Sequence, residues 1–311
     1  MTRLTPEATG VFVIAVTPFH PDGRIDMESC DRMVDFYLEA GATGLTVLGM
    51  MGEAPKLTVE ESRDVVARIL ARVDGRVPVV VGVSAPGFAQ IDALTRMVMD
   101  LGAAGVMIAP PGALRTDDQI VTYYAQAADA IGADVPFVVQ DYPLITSVAM
   151  TPGVIRRIAT DNANCVMLKA EDWPGLEKIS TLRKWQADGS LKPMSILVAN
   201  GGLFLDFEME RGADGSNTGY AFPEMLIDVV RLSKAGERDR AHDLFDAHLP
   251  LLRYEQQPGA GLAVRKYVLT KRGILTHDAQ RKPGAGLSAT AKAEVDFLLQ
   301  RLARVDSRAK V

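Results

Sequence analysis

The stretch of this 311-residue chain best equipped for chemistry is Cys165-Val166-Met167-Leu168-Lys169-Ala170-Glu171. It reads as a short buried strand with a lysine and a glutamate near its C-terminal end. Burying a lysine cation costs several kcal/mol, so one placed in an apolar run needs a reason. Side chains alternate along a strand, which puts Lys169 and Glu171 on one face and Leu168 and Ala170 on the other. An amine beside a carboxylate in an apolar hole can form imines and move protons. The same two residues would also suit a structural ion pair, and the choice depends on what surrounds them.

The elements that must position the pair follow a regular alternation. Continuously apolar runs predict strands at 11–17, 44–48, 77–83, 105–109, 136–140, 165–169 and 195–200, with a weaker one at 213–218. Helical spacing falls between them: Met27 to Ala40, Thr58 to Val73, Phe88 to Leu101, Asp117 to Ile131, Thr151 to Ala159, Pro174 to Ala187, a short helix through Arg211, and Pro223 to Lys234. Thr58 and Glu61 have the spacing of a capping box. Eight such units predict an α/β fold, a closed parallel (β/α)8 TIM barrel, over residues 1–234. After Ala235 the strands stop. Helices at 238–252, 259–272 and 290–303 predict a C-terminal helical extension, residues 235–311, packed on the barrel.

In such a barrel the chemistry sits where the strands end. Those ends carry Thr17, Gly49-Met50-Met51-Gly52, Gln140-Asp141, Lys169 to Glu171, Asn200-Gly201-Gly202 and Ser216-Asn217-Thr218. The set is rich in glycine, amides and hydroxyls, which favours a catalytic reading of the lysine. Lys169 and Glu171 are the candidate catalytic residues. Thr17, Gly49, Met50, Met51, Gln140, Asp141, Asn200, Gly201, Asn217 and Thr218 are the candidate substrate-binding set. Gly49 and Gly52 would let the backbone turn tightly and offer N–H groups to a carboxylate. On a regular strand Asp141 points away from Gln140's side, so it ranks below Glu171 as an acid.

Composition narrows the partners. Hydrophobic residues make up 48% and charged residues 23%, ordinary for a globular protein, and the net charge is −5. With a pI near 5.5, nucleic acid and anionic membrane are poor partners. No apolar run approaches the roughly 18 residues needed to span a bilayer, and Met1 to Gly10 lacks a signal-peptide core. Two cysteines, Cys30 and Cys165, suit a reducing compartment, so a soluble cytoplasmic protein is expected. His20, His242, His248 and His277 are scattered, with no metal-ligand spacing, and no dinucleotide or P-loop fingerprint is present. Neither a metal nor a cofactor is expected.

The residues resemble the dihydrodipicolinate synthase/N-acetylneuraminate lyase family of class I pyruvate-type aldolases, over essentially the whole chain. Thr17-Pro18-Phe19 with Asp22-Gly23-Arg24-Ile25-Asp26 is similar to the family's opening. Gly49-Met50-Met51-Gly52-Glu53 is similar to its Gly-Thr/Ser-Thr-Gly-Glu loop, which holds a 2-oxo acid carboxylate. Lys169 falls where the family keeps its Schiff-base lysine, and Lys266 and Gly273 match its C-terminal helix. The resemblance implies a small-molecule 2-keto acid substrate and a homotetramer or homodimer.

The departures matter as much. The family's Tyr-Asn-x-Pro is Gln140-Asp141-Tyr142-Pro143 here, so an amide replaces the proton-shuttling phenol. The hydroxyls that relay to that phenol are Met50 and Met51. The tyrosine pair after strand four is Pro111-Gly112, and the arginine that grips the synthase's aldehyde substrate is Ile145. The 2-keto-3-deoxy-L-arabonate dehydratase branch is closer. It shares Gln-Asp-x-Pro, a glutamate two residues after the lysine, and Thr-Gly-x-x-Phe-Pro, matched by Thr218 to Pro223.

A lysine amine titrates near 10.4, so presenting it neutral at pH 7 costs roughly 4 to 5 kcal/mol. Passing its proton to a neighbouring carboxylate is one solution, and Glu171 is then an acid placed to expel water. The expected activity is Schiff-base dehydration of a 2-keto-3-deoxy sugar acid. Retro-aldol cleavage of a similar acid shares every step up to the iminium. 4-Hydroxy-tetrahydrodipicolinate synthesis and a catalytically dead barrel that binds 2-oxo acids are the further alternatives.

Overall fold

A computed structural model describes residues 3–173 and 175–311. Eight strands form the barrel: β1 (Gly10–Ile14), β2 (Gly44–Val47), β3 (Val79–Gly82), β4 (Gly105–Ile108), β5 (Phe137–Asp141), β6 (Cys165–Ala170), β7 (Ser195–Val198) and β8 (Gly215–Thr218). Each pairs in parallel with the next, and β8 closes on β1. The expected (β/α)8 barrel is the observed one. The alternation explains why both strand faces are apolar. Phe12, Val80, Met107, Val138, Met167 and Leu197 point inward and fill the barrel, with Leu4 and Ala104 in the same cluster. Their sequence neighbours Val13, Val81, Val106, Val139, Leu168 and Ile196 point outward into the layer shared with the helices.

The helices are α1 (Met27–Glu39), α2 (Val59–Val73), α3 (Phe88–Leu101), α4 (Asp117–Ile131), the single turn α5 (Pro143–Thr146), α6 (Pro152–Asp161), α7 (Leu176–Ala187), α8 (Leu205–Glu210), α9 (Pro223–Lys234), α10 (Arg238–Glu255), α11 (Gly261–Lys271) and α12 (Ala289–Leu302). The Thr58–Glu61 capping box forms in both directions and starts α2. Boundaries differ from the sequence reading in places. β1 ends at Ile14 rather than Thr17: the Ala15 amide still bonds Thr46 O at 2.9 Å, and the chain then leaves towards Pro18, which has no N–H to continue the ladder. The expected start of the seventh helix at Pro174 lies outside the described residues.

After α9 the helices α10, α11 and α12 pack on one another, and α10 packs on α8 and α9. Buried and half-buried charge pairs pin them. Lys266 Nζ meets Glu53 Oε1 at 2.5 Å, Arg265 Nε meets Glu255 Oε1 at 2.6 Å, and Arg272 Nη2 meets Glu224 Oε1 at 2.5 Å. His248 is fully buried between Tyr220 Oη (3.1 Å from Nδ1) and Asp306 Oδ2 (2.9 Å from Nε2), a structural bridge to the C-terminus. Burial holds its imidazole below the ordinary range despite Asp306. Cys30 and Cys165 are free, and burial pushes both thiols up to about 12, so they act as packing residues. Among the described residues no helix is long and apolar enough to cross a membrane.

Candidate active site

The β5–β6 ladder sets Gln140 directly against Lys169. Each lies two residues beyond an inward-facing core residue, Val138 and Met167, so both side chains emerge at the top of the filled barrel. Past the end of β6 the Glu171 amide still bonds Asp141 O at 3.0 Å, which keeps the strand's alternation and turns Glu171 to the same side. Glu171 Oε2 consequently accepts from Gln140 Nε2 at 2.8 Å and sits 3.0 Å from Lys169 Nζ. Lys169 and Glu171 are only 5% and 6% exposed. An amine, a carboxylate and an orienting amide share one oxygen, in a cavity of about 540 Å³ that opens at the strand ends.

The loop after β2 forms another wall. Met50–Gly52 make one 3₁₀ turn, and Gly49, Met50 and Met51 line the cavity. The amides that open such a turn have no acceptor within it. The left-handed residues are not the glycines, as the sequence suggests, but Leu48 (φ 54°) and Glu53 (φ 55°). Non-glycine residues adopt this region at a cost of about 1–2 kcal/mol each. Glu53 is held there by Lys266, by Lys56 at 2.8 Å and by the Arg281 amide at 3.1 Å, and its carboxylate is buried. The Thr17 hydroxyl donates to Gly52 O at 2.6 Å and braces the same turn.

A third wall comes from the ends of β7 and β8 and from the extension. Asn200 Nδ2 donates to Glu171 O at 2.9 Å, and the Gly201 amide donates to Thr218 Oγ1 at 2.8 Å. Gly201 and Gly219 are bare because long side chains cross them. A Cβ on Gly201 would lie 2.0 Å from Gln256 Nε2, and one on Gly219 would lie 2.2 Å from Arg265 Nη1. Arg265 also donates through Nη2 to Gly219 O at 2.5 Å. Leu144, Ile145, Trp173 and Leu203 make the opposite, apolar side.

This geometry has close relatives among known proteins. The model of the Dihydrodipicolinate synthetase family matches residues 7–302. The chain belongs to that family. It is 30% identical over 303 residues to an L-2-keto-3-deoxyarabonate dehydratase of Azospirillum brasilense, covering 96% of each chain. It is equally 30% identical, over 302 residues, to a 4-hydroxy-tetrahydrodipicolinate synthase of Chlorobium luteolum, covering 95% of this chain and 98% of that one. A crystal structure of dihydrodipicolinate synthase from Rhodopseudomonas palustris superposes with a TM-score of 0.95 at 66% identity, over 97% of this chain and 100% of that one. Membership makes the chain a class I lyase or aldolase.

Within this family member the expected site residues divide. Lys169, Gly49, Met50, Met51, Gln140, Glu171, Asn200, Gly201 and Thr218 line one cavity. Thr17, Asp141 and Asn217 do not. Thr17 spends its hydroxyl on the Gly52 carbonyl and is buried behind the loop. Asn217 faces the barrel interior, where its Oδ1 accepts from Thr46 Oγ1 at 3.0 Å. Asp141 points out of the barrel to Lys178 Nζ of α7 at 2.6 Å, and Lys178 also holds Asp172 at 2.5 Å. Burial pushes the Asp141 carboxyl up to about 6, against the pull of Lys178. This cluster pins α7 to the end of β5.

Sequence reasoning did not find Tyr142, Glu255, Gln256, Arg265 or Gln280 as cavity residues. Tyr142 sits between two residues already singled out, and the irregular chain after β5 turns its ring inward. Burial, aided by Glu171's charge, pushes its phenol up to about 12, so it is a neutral donor. Arg265 adjoins the matched Lys266, the nearest signal available for the extension's share of the site. Among the described residues no group of three or more His, Cys, Asp or Glu side chains could hold a metal. A separate recess of about 420 Å³ between α10 and α12, lined by Asp243, Leu251, Leu302 and Val305, contains none of the expected site residues.

Proposed function

We propose that the protein dehydrates a 2-keto-3-deoxy sugar acid through a Schiff base on Lys169, without a cofactor. The observation that carries this reading is Glu171 Oε2 at 3.0 Å from Lys169 Nζ, with Gln140 rather than a phenol orienting it. Residues 1–234 supply the chemistry, and residues 235–311 close the cavity as an extension. The substrate C1 carboxylate takes the backbone amides of the Gly49–Met51 loop.

Lys169 gives its spare proton to Glu171 and attacks C2 as the neutral amine, and the nitrogen's second surplus proton passes to the C2 oxygen to make the carbinolamine hydroxyl. Glu171 returns its proton to the carbinolamine hydroxyl, which leaves as water and gives the iminium. The iminium acidifies C3–H. The carboxylate takes that proton and delivers it to the C4 hydroxyl, which departs as a second water and leaves a conjugated 3,4-ene. Hydrolysis consumes one water and frees Lys169, so the net loss is one water. Where C5 is a terminal CH2OH the product tautomerises to a semialdehyde, and where C5 is a secondary alcohol to a 2,5-diketo acid. Every transfer uses a carboxyl already within hydrogen-bond reach of the nitrogen.

Retro-aldol cleavage is the second reading, since it shares every step up to the iminium; the Glu171 carboxylate, free of its proton at that point, would take the C4–O–H proton as the C3–C4 bond breaks and return it to C3. Lysine-pathway synthesis has less support, because Gln140, Met50, Met51 and Ile145 stand where it relies on hydroxyls and a cation. A dead barrel that only binds 2-oxo acids would have no use for the amine and carboxylate in contact. Exposed apolar residues at the entrance, Leu144, Ile145, Trp173 and Phe204, support a homodimer or homotetramer. Two free buried cysteines suit a cytoplasmic setting.

The test is borohydride trapping with pyruvate or a 2-keto-3-deoxy acid, followed by peptide mass and product analysis. The reading expects an adduct on Lys169, loss of adduct and turnover in Lys169→Ala, and semialdehyde rather than pyruvate as product. An adduct on Lys178 or Lys266 would overturn it.

A further inference from the structure

The cavity lining is balanced in charge, and the balance limits what can occupy its far end. Two cations line it, Lys169 and Arg265, against two anions, Glu171 and Glu255. Lys169 faces Glu171. Arg265, 2% exposed, gives Nε to Glu255 Oε1 at 2.6 Å, and Glu255 is fully buried, with Oε2 accepting the Ala221 amide at 3.1 Å. The guanidinium charge is therefore compensated at contact distance in a water-poor site, where such compensation counts most. What remains at this wall is neutral: Arg265 Nη1 and Gln256 Nε2, two buried donors without a partner among the described residues, with Asn200, Thr218, Gln257 and Gln280 nearby on the same lining.

A terminal carboxylate brought here would lose its hydration and find no uncompensated cation in return. A hydroxyl brings acceptor lone pairs and no charge, and suits orphan N–H donors. We infer that the Glu255–Arg265 pair, carried by the helical extension, sets the charge specificity of the cavity, admitting a neutral hydroxylated tail and refusing a second, terminal carboxylate. This rests on the imine reading of Lys169 and refines it: the substrate is of the aldonic class, not the aldaric. Glu255 is a specificity residue that acts through Arg265 and touches no reacting atom.

The test compares borohydride trapping at Lys169 for two acids of equal length, a 2-keto-3-deoxy aldonic acid and the corresponding aldaric acid, with pyruvate as the reference for a competent site. Wild type should prefer the aldonic acid by about 10²-fold, the scale of a carboxylate taken out of water with no cation to compensate it. Glu255→Gln frees the Arg265 charge and should narrow that preference about tenfold or more. Ile145→Arg adds an unpaired cation at the exposed rim without disturbing the core and should narrow it as well; this result decides if Glu255→Gln does not fold. Pyruvate trapping with no aldonic preference, or a folded variant of either kind that keeps the full preference, overturns the inference and leaves the imine reading standing. Failure to trap pyruvate on Lys169 overturns both.

Discussion

Glu171→Gln separates a catalytic carboxyl from a structural one. Glu171 Oε2 accepts from Gln140 Nε2 at 2.8 Å and meets Lys169 Nζ at 3.0 Å. Glutamine keeps the size and one carbonyl oxygen, so both neighbours retain an acceptor. What disappears is the charge and the exchangeable proton. Losing one partner of a buried ion pair costs about 3–5 kcal/mol when the other charge is stranded. An oxygen left in place recovers most of this, and replacing a charged by a neutral acceptor costs about 1–2 kcal/mol. In a protein of this size that lowers Tm by a few degrees. Dehydration should fall much further, about 10² to 10⁴-fold, the usual loss of a general acid–base group. The assay is semialdehyde formed per folded molecule, with folding followed by circular dichroism, alongside borohydride trapping. The adduct on Lys169 should still form, because the nucleophile remains. A structural pair predicts residual activity that tracks the folded fraction. If the variant folds and dehydrates within a few-fold of wild type, Glu171 is not the acid. Tyr142 would then be next, since Asp141 is tied to Lys178 outside the barrel.

Aspartate semialdehyde with pyruvate should give little condensation product, and turnover above roughly one per second would show that Gln140, Met50, Met51 and Ile145 do not block that step. Glu208 in α8 is 6% exposed with a buried, unpartnered Oε2, and burial raises its carboxyl from 4.5 to about 8, with Asp206 adding to the shift. Its stabilising contribution is therefore complete below about pH 4.5 and lost as pH rises through 8, a span worth about 5 kcal/mol at most. Glu208→Gln should accordingly gain Tm over wild type at pH 9 relative to pH 5, and a difference independent of pH would refute this. Gly219→Ala places a methyl 2.2 Å from Arg265 Nη1 and 3.0 Å from Ile14 O. It should cost about 1–3 kcal/mol by thermal melting, the range for overpacking, and a wild-type Tm would mean that the guanidinium does not sit over this glycine.

The barrel was legible because its rule is local. Strands buried on both faces must be apolar throughout, and alternation then dictates that Lys169 and Glu171 share a side and that Gln140 meets them from the neighbouring strand. The same rule put Asp141 on the outer face, where it is found, but could not supply Lys178, thirty-seven residues on, which makes burial there tolerable. Thr17 and Asn217 failed as cavity residues for a different reason. Position at a strand end says that a side chain is near the mouth, not whether its hydrogen bond is already taken by Gly52 O or Thr46. The loop after β2 shows the limit of composition as a guide to backbone. Leu48 and Glu53 take the left-handed conformation while Gly49 does not, because a buried network through Lys266 and Arg281 fixes Glu53 and nothing in the loop's own residues announces it. Gly201 and Gly219 carry the sharper lesson. A bare glycine at a strand end marks a close approach, and a ligand is one possible visitor. Here Gln256 and Arg265 already approach both glycines from the extension. The reacting pair belongs to the barrel and is readable from periodicity, whereas the wall opposite it belongs to helices packed from far along the chain. Selectivity for the substrate's tail is therefore to be sought in α10 and α11, where neither alternation nor strand position points.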